Sequence, residues 1–269
     1  MSARPGTAFR ARLKAGELAL GSNLRMTRSA EAGPILSACG FHWAMIDYEH
    51  SPASPHLAHD IALSAIRAGI LPLARPSGHD PHEIAGLLTN GALGLVVPHV
   101  DTPEQAEKVA RAARFAPQGN LSVPGTLAHF GYDKSLAESC SIFNEEVVVV
   151  VMIESREAVR NVEAIAAVPG VDGLFIGGSD LLWDLGLPGR YDAPELQDAV
   201  ERTCAAASRH GLFAGMGGPR DEKPWQGFLR AGIRMILTEN DLSLMMRGAR
   251  DRRTFFEGAL AQASAPPPR

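Results

Sequence analysis

Short apolar runs, many of them β-branched, alternate along the chain with longer amphipathic stretches, and Gly, Pro, Ser or Asp stands at the joins. The apolar runs predict eight strands, at Leu18–Asn23, Trp43–Tyr48, Leu71–Arg75, Leu93–Pro98, Val147–Ile153, Gly173–Ile176, Phe213–Met216 and Met235–Thr238. The amphipathic stretches predict eight helices, at Ala30–Cys39, Pro55–Ala68, Pro81–Asn90, Pro103–Phe115, Arg156–Ala167, Ala193–His210, Pro224–Ala231 and Leu242–Leu260.

Eight strand–helix units predict a single (β/α)₈ TIM barrel, and a length of 269 residues suits that fold. An open, doubly wound sheet also produces this alternation, so the number of units is what favours the barrel. We expect the barrel domain to span residues 1–263 and a proline-rich tail, 264–269, to be disordered. The stretch Ala116–Ser135 holds no periodic element, and we expect a loop of that length to act as a lid or a subunit contact.

Composition narrows the class of protein. The net charge is −4 and no long basic run is present, which disfavours nucleic acid as a partner. The three cysteines are scattered, which predicts reduced thiols in a cytoplasmic protein. Neither a signal peptide nor an apolar run long enough to cross a bilayer is apparent, so we expect no membrane association.

Polar residues gather where the predicted strands end. In a TIM barrel the carboxyl ends of the strands form the catalytic face, so these positions are the candidates for chemistry. They are Asp47–His50 after the second strand, Arg75 after the third, Glu154 after the fifth, Gly177–Asp180 after the sixth and Glu239–Asp241 after the eighth.

Glu154 and Asp180 are candidate metal ligands. Glu154 closes the apolar run Val147–Ile153, and a buried carboxylate needs a partner, a proton or a cation. Neighbouring strands lie about 4.8 Å apart, so Asp180 on the next strand can share one ion with Glu154. Oxygen ligands of this kind suit Mg²⁺ or Mn²⁺, with Co²⁺ a further candidate. The alternative is that each carboxylate caps the helix that follows it.

His50, Asp47 and Arg75 are candidate catalytic residues. The ordinary pKa of histidine suits proton transfer near neutral pH, and Asp47 is close enough in sequence to orient the His50 ring. An arginine at the barrel rim can stabilise an oxyanion by charge-assisted hydrogen bonds. The alternatives are a loop histidine with no catalytic role and an ion pair of Arg75 with Asp47 or Glu49.

Gly177-Gly178-Ser179 predicts a tight turn whose backbone N–H groups can hold a carboxylate or phosphate, with Gly178 and Ser179 as candidate substrate-binding residues. Neither a Walker A nor a GxGxxG pattern follows any strand, which disfavours nucleotide cofactors. The four lysines all lie away from the strand ends, so Schiff-base chemistry is disfavoured as well. Metal assistance remains as the ordinary route to an enolate.

Four segments together resemble the HpcH/HpaI family of metal-dependent pyruvate aldolases: Gly40–Ser51, Arg75-Pro76, Ile153–Ala158 and Gly170–Leu181. The resemblance extends from about Phe9 to Leu260. It implies that Glu154 and Asp180 bind a divalent metal and that a 2-oxo acid such as pyruvate binds there, its carboxylate near Gly178 and Ser179. It further implies that Arg75 stabilises an enolate and that His50, oriented by Asp47, moves a proton. An aldehyde is the second substrate that it implies.

The resemblance also implies a homohexamer in which helices are exchanged between subunits, and Leu242–Leu260 is the candidate helix for that exchange. The sequence departs from the family pattern at four places. The arginine of a Pro-Pro-x-Gly-x-Arg-Gly motif is missing from 116–122, Gly21-Ser22-Asn23 replaces Gly-x-Trp, Gly178 replaces proline, and Met152 stands where some members have glutamine. The enolate machinery therefore matches the family, while the pocket for the aldehyde differs.

Two other functions remain open from the sequence. The first is an oxaloacetate decarboxylase or another carbon–carbon lyase, which uses the same enolate chemistry. An enzyme that acts on a CoA thioester is disfavoured, because the sequence has no basic cluster suited to the nucleotide of CoA. The second is a catalytically silent barrel with a binding role, which would have no reason to gather so many polar residues at one mouth.

Overall fold

The computed structural model describes residues 4–264 and contains a closed barrel of eight parallel strands in the order β1 to β8. The strands are β1 Ala19–Leu24, β2 Trp43–Asp47, β3 Leu71–Arg75, β4 Gly94–Val97, β5 Val148–Ile153, β6 Gly173–Gly177, β7 Phe213–Gly217 and β8 Met235–Asn240. β1 pairs with both β2 and β8, which closes the barrel. The prediction of a (β/α)₈ barrel is confirmed, and each predicted strand is found within two residues of its expected ends.

Helices surround this barrel. They are α1 Pro5–Lys14, α2 Ala32–Ala38, α3 Pro55–Arg67, α4 Pro81–Thr89, α5 Pro103–Ala112, α6 Leu136–Glu146, α7 Arg156–Ala166, α8 Gly178–Asp184, α9 Pro194–Arg209, α10 Glu222–Ala231 and α11 Asp241–Ala263. Several begin with proline at the first helical position after a Ser, Thr or Asp cap, the pattern that the sequence shows. The predicted tail lies outside the described residues apart from Ser264, so its disorder stays a prediction.

Three helices, α1, α6 and α8, are absent from the predicted set. α1 depends on a distant partner: the buried Glu146 carboxylate accepts hydrogen bonds from the Gly6 and Thr7 amides at 3.0 and 3.1 Å. The turn expected at Gly177-Gly178-Ser179 was wrong, because Gly178 starts α8 there. Glycine disfavours helix, but the buried side chains of Leu181 and Leu182 hold this short helix against the barrel.

Large side chains fill the barrel interior where the neighbouring strand carries glycine. Trp43 on β2 is fully buried, and its indole N–H donates to the Ala19 carbonyl oxygen at 3.1 Å. A Cβ at Gly21 would lie 2.0 Å from the Trp43 ring, so glycine is required on β1 at this level. Trp43 also packs edge-on against Phe175 of β6, which closes the floor beneath the catalytic face.

The long loop 116–135 packs at the amino-terminal end of the barrel. It contains a short 3₁₀ turn, Ala128–Phe130, and buries Leu121 and Leu127. His129 is also buried there, and its Nε2 lies 3.1 Å from the Ala92 carbonyl oxygen, just before β4. The loop is therefore held at the end opposite the catalytic face, and a lid over its own active site was the wrong expectation. A subunit contact stays a prediction.

The last helix, α11, extends away from the barrel. None of its 23 residues is buried, and its contacts are with β8 and β1. Large apolar side chains on it are exposed, among them Met245, Phe255, Phe256 and Leu260. Among residues 4–264, no helix is both long and apolar enough to cross a membrane. The exchange of this helix between subunits stays a prediction.

Candidate active site

Asp47 and Arg75 form the centre of the catalytic face. The β2–β3 register pairs these two residues directly. Arg75 Nε donates to Asp47 Oδ1 at 3.0 Å and Nη2 donates to Oδ2 at 2.7 Å, while Nη1 lies 3.0 Å from Glu49 Oε2. Both ion pairs considered from the sequence are therefore present. They hold the guanidinium rigidly at the barrel mouth, where it can also face an oxyanion.

The Asp47 carboxylate is buried, and the protein supplies several hydrogen-bond donors to it. Besides Arg75, it accepts hydrogen bonds from Asn23 Nδ2 at 3.0 Å and from the backbone amides of Glu49 and His50 at 3.1 Å each. Burial acts to raise the pKa of Asp47, but the Arg75 hydrogen bonds and charge, helped by Asn23 and the His50 amide, outweigh it and lower the pKa. Asp47 is therefore an ionised, fixed anchor.

The expected contact between Asp47 and the His50 ring was wrong, because Asp47 contacts His50 only through its backbone amide. The His50 side chain is 55% exposed, and its Nε2 lies 3.7 Å from Glu49 Oε2. Arg25 donates to the His50 carbonyl oxygen at 3.0 Å, which fixes the backbone but leaves the ring accessible. His50 is thus placed at the rim, with Glu49 as its nearest carboxylate.

His99, which the sequence reasoning missed, links two carboxylates of the site. Its backbone N–H donates to Glu154 Oε1 at 2.6 Å, and its Nδ1 lies 3.1 Å from the same oxygen. Its Nε2 lies 3.2 Å from Glu49 Oε1. His99 has a φ of 55°, a conformation that non-glycine residues adopt rarely and often at functional sites. Its position just beyond β4 is the signal that could have identified it.

Glu154 is buried at the end of β5. Burial is the largest cause that raises its pKa, and the charges of Asp180 and Glu49 add to it, while the His99 amide and imidazole act to lower it; together they raise the pKa of Glu154 to about 7. Helix α7 is capped by Ser155, whose Oγ accepts from the Ala158 amide at 3.0 Å, so the helix-capping alternative for Glu154 was wrong. A carboxylate in these surroundings is stabilised by a nearby cation.

Gly177 lets the Glu154 carboxylate lie close to β6. A Cβ at Gly177 would lie 2.3 Å from Glu154 Oε2, so only glycine leaves space for this rotamer. The next residues begin α8, in which Gly178 is buried while Ser179 and Asp180 are exposed. The first N–H groups of a helix lack acceptors within the helix and are available to an anion.

Tyr191 is a second residue that the sequence reasoning missed. Its hydroxyl lies 2.9 Å from Ser179 Oγ, and its ring approaches Gly178 and Gly218. It comes from the loop after α8, where the sequence shows no strand-end signal. Tyr191 therefore covers the start of α8 and limits how Ser179 can turn.

The donor set fits a hard divalent cation. Glu154 and Asp180 offer oxygen atoms, the ligands that Mg²⁺ and Mn²⁺ prefer, and the pKa of Glu154 is raised first by its burial and then by the charges of Asp180 and Glu49. In the described part of the chain, however, no group of three His, Cys, Asp or Glu side chains is arranged to hold a metal. A metal bound here would take two protein ligands and leave its other positions to substrate and water.

Comparison with known proteins decides the family. The profile of the HpcH/HpaI aldolase/citrate lyase family matches residues 27–247. The chain belongs to this family. HpcH/HpaI enzymes of the aldolase type are carbon–carbon lyases that generally need a divalent metal, so the predicted family and reaction class are confirmed.

Two relatives align with this protein over nearly the whole chain. A hydroxypyruvate/pyruvate aldolase of Sagittula stellata is 32% identical over 249 residues, which is 93% of this chain and 97% of the relative. A 4-hydroxy-2-oxo-heptane-1,7-dioate aldolase of Escherichia coli is 33% identical over 258 residues, 96% of this chain and 97% of the relative. The crystal structure of an HpcH/HpaI aldolase from Desulfitobacterium hafniense superposes with a TM-score of 0.83 at 26% identity, covering 91% of this chain and 95% of that one.

Proposed function

We propose that this enzyme uses a divalent metal to form and cleave 4-hydroxy-2-oxo acids by way of a pyruvate enolate. The observation that carries the proposal is the buried Glu154 carboxylate, with a pKa near 7, at the same mouth as the Asp47–Arg75 pair. The names of the Sagittula stellata and Escherichia coli relatives support a 2-oxo acid and an aldehyde as the substrates.

Glu154 and Asp180 are the proposed metal ligands, and Mg²⁺ or Mn²⁺ is the proposed ion, with Co²⁺ a further candidate. The bound ion supplies positive charge that favours the enolate over the ketone. The substrate carboxylate is proposed to lie against the backbone N–H groups of Gly178 and Ser179 at the start of α8.

Arg75 and His50 carry the remaining chemistry in this proposal. Each terminal nitrogen of Arg75 has two N–H groups and only one contact to a carboxylate, so one N–H on each can donate to the enolate oxygen. In the cleavage direction the C4 hydroxyl loses its proton, the C3–C4 bond breaks, and its electron pair forms the enolate while the aldehyde leaves. His50, exposed at the rim, accepts that proton, and protonation at C3 then gives pyruvate.

The proposal extends to assembly. α11 buries no residue and exposes Phe255, Phe256 and Leu260, an apolar face that exchange between subunits of a homohexamer would cover. A cytoplasmic location is part of the same proposal and is supported by the free cysteines Cys39, Cys140 and Cys204.

The test is exchange of the C3 protons of pyruvate in D₂O, followed by NMR on EDTA-treated enzyme before and after Mg²⁺ or Mn²⁺ is added. We expect exchange only with metal and a loss of at least about a hundredfold in Glu154→Gln or Asp180→Asn. Glu163→Gln, which removes an exposed partner of Arg209, is the control and should keep full exchange.

Two outcomes would redirect the proposal. Absence of exchange with every metal would refute pyruvate enolisation and leave either a larger 2-oxo acid as the substrate or a silent barrel. Exchange together with faster turnover of oxaloacetate than of any 4-hydroxy-2-oxo acid would identify a decarboxylase built on the same enolate site.

A further inference from the structure

Asn23 lies at the carboxyl end of β1, at the position where the family pattern has tryptophan, and it is 7% exposed. Its Nδ2 donates to Asp47 Oδ2 at 3.0 Å. Because the lowered pKa of Asp47 keeps it ionised, that carboxylate can only accept, so the amide nitrogen must face Asp47. The orientation of the Asn23 amide is therefore determined by chemistry, and Oδ1 points away from Asp47.

Asn23 Oδ1 is a buried acceptor with no hydrogen-bond partner among residues 4–264. Buried polar atoms are nearly always paired, and an unpaired one in a native site needs an explanation. Asp47 lies directly beside Asn23 and Arg75 donates to the same carboxylate, so Asn23 is at the edge of the proposed reaction centre rather than in the structural core.

Asn23 also lines a cleft of about 150 Å³ at the mouth between β1, β7 and β8. Gly218, Arg220, Thr238, Asn240 and Ser243 are among the other lining residues. A tryptophan at position 23 would add a large ring at the edge of this cleft, whereas asparagine leaves it open. This volume is well above what one water molecule needs, so the cleft can hold a short hydroxylated fragment.

We propose that Asn23 Oδ1 accepts a hydrogen bond from a hydroxyl group of the substrate, next to the carbon atoms that join, and so selects hydroxylated substrates. This inference rests on the proposed aldolase function. A site that hydrogen-bonds a substrate hydroxyl discriminates against an analogue with a methyl group in its place, because its own polar atom is then left unpaired. The hydroxyl can come from C3 of a 3-hydroxy-2-oxo acid or from C2 of a 2-hydroxyaldehyde.

The test compares two pairs of substrates that differ only by OH against CH₃. Hydroxypyruvate and 2-oxobutanoate form the 2-oxo acid pair, whose C3 proton exchange in D₂O needs no aldehyde. Glycolaldehyde and propanal form the aldehyde pair, with pyruvate as the common second substrate. For each pair the ratio of kcat/KM values is measured in the native protein, in Asn23→Leu and in Asn23→Ala.

The ratio of two kcat/KM values measured on one preparation does not depend on the fraction of correctly folded enzyme. A loss of Asp47 positioning lowers both kcat/KM values and therefore cancels in their ratio. We expect the preference for the hydroxylated member to fall about tenfold in both variants, in one pair or the other, which identifies the source of the hydroxyl. Ser22→Ala removes a hydroxyl that donates to the Glu239 carbonyl oxygen and serves as the control with unchanged ratios.

Unchanged ratios in both pairs would overturn the role of Asn23 while leaving the aldolase function intact. Failure of the native protein to exchange the C3 protons of pyruvate, hydroxypyruvate and 2-oxobutanoate with any metal would instead overturn the aldolase function, and this inference with it. The two failures are therefore distinguished by the behaviour of the native protein alone.

Discussion

Replacement of Gly177 by alanine tests whether the position of the Glu154 carboxylate determines metal binding. The added Cβ would lie 2.3 Å from Glu154 Oε2 and 2.8 Å from Glu154 Cβ. Ordinary contact begins near 3.4 Å, so the carboxylate must move by about 1 Å or β6 must shift. We expect a loss of about a hundredfold in pyruvate exchange, the usual effect of a 1 Å misplacement, and an overpacking cost of about 1–3 kcal/mol in stability.

Mn²⁺ affinity by calorimetry and pyruvate exchange by NMR measure this effect. Gly86→Ala on α4 is the matched control, because a Cβ there meets nothing within 4 Å, and it should keep both properties. Glu154→Asp shortens the side chain and so removes the 2.3 Å contact with Oε2 but keeps the 2.8 Å contact with Cβ. Gly177→Ala should therefore cost less, though still something, in that background, a coupling that a double-mutant cycle measures. Gly177→Ala protein that binds Mn²⁺ and exchanges pyruvate within about twofold of the native enzyme would refute the reasoning.

Three further predictions concern stability and assembly. Burial lowers the pKa of His129 from 6.5 to about 4, so its contribution to stability is complete above pH 6.5 and is lost as the pH falls toward 4. The shift corresponds to a loss of about 3 kcal/mol in the free energy of unfolding. Urea unfolding of the His129→Gln variant should lack this acid-dependent loss. Asp47→Asn removes the buried partner of Arg75 and should lower the free energy of unfolding by about 3 kcal/mol; a change below about 1 kcal/mol in urea titrations would contradict the anchoring role. Phe255→Glu combined with Phe256→Glu should shift size-exclusion chromatography to smaller species, whereas an unchanged profile would argue against exchange of α11.

The barrel and the positions of its chemistry could be predicted from the sequence because both are local in origin. Strand β5 is a continuous apolar run with a carboxylate at its end, and α5 carries its own capping box at Thr102 and Gln105. The rule that the strand ends of a barrel face one mouth then groups Asp47, Arg75 and Glu154 without coordinates. Helices such as α1 escaped prediction because their stability depends on a partner about 140 residues away, Glu146.

Only the tertiary structure decided which of these residues contact one another. The register between β2 and β3 pairs Asp47 with Arg75, and the pairing of β1 with β2 brings Asn23 to the same carboxylate, so Asp47 is unavailable to the His50 ring. His99 links Glu49 and Glu154 across three strand ends that are far apart in sequence. The residue types at the strand ends can be read from the sequence. The hydrogen bonds between these residues depend on distances of a few tenths of an ångström, and those distances are determined by strand register and by closure of the barrel.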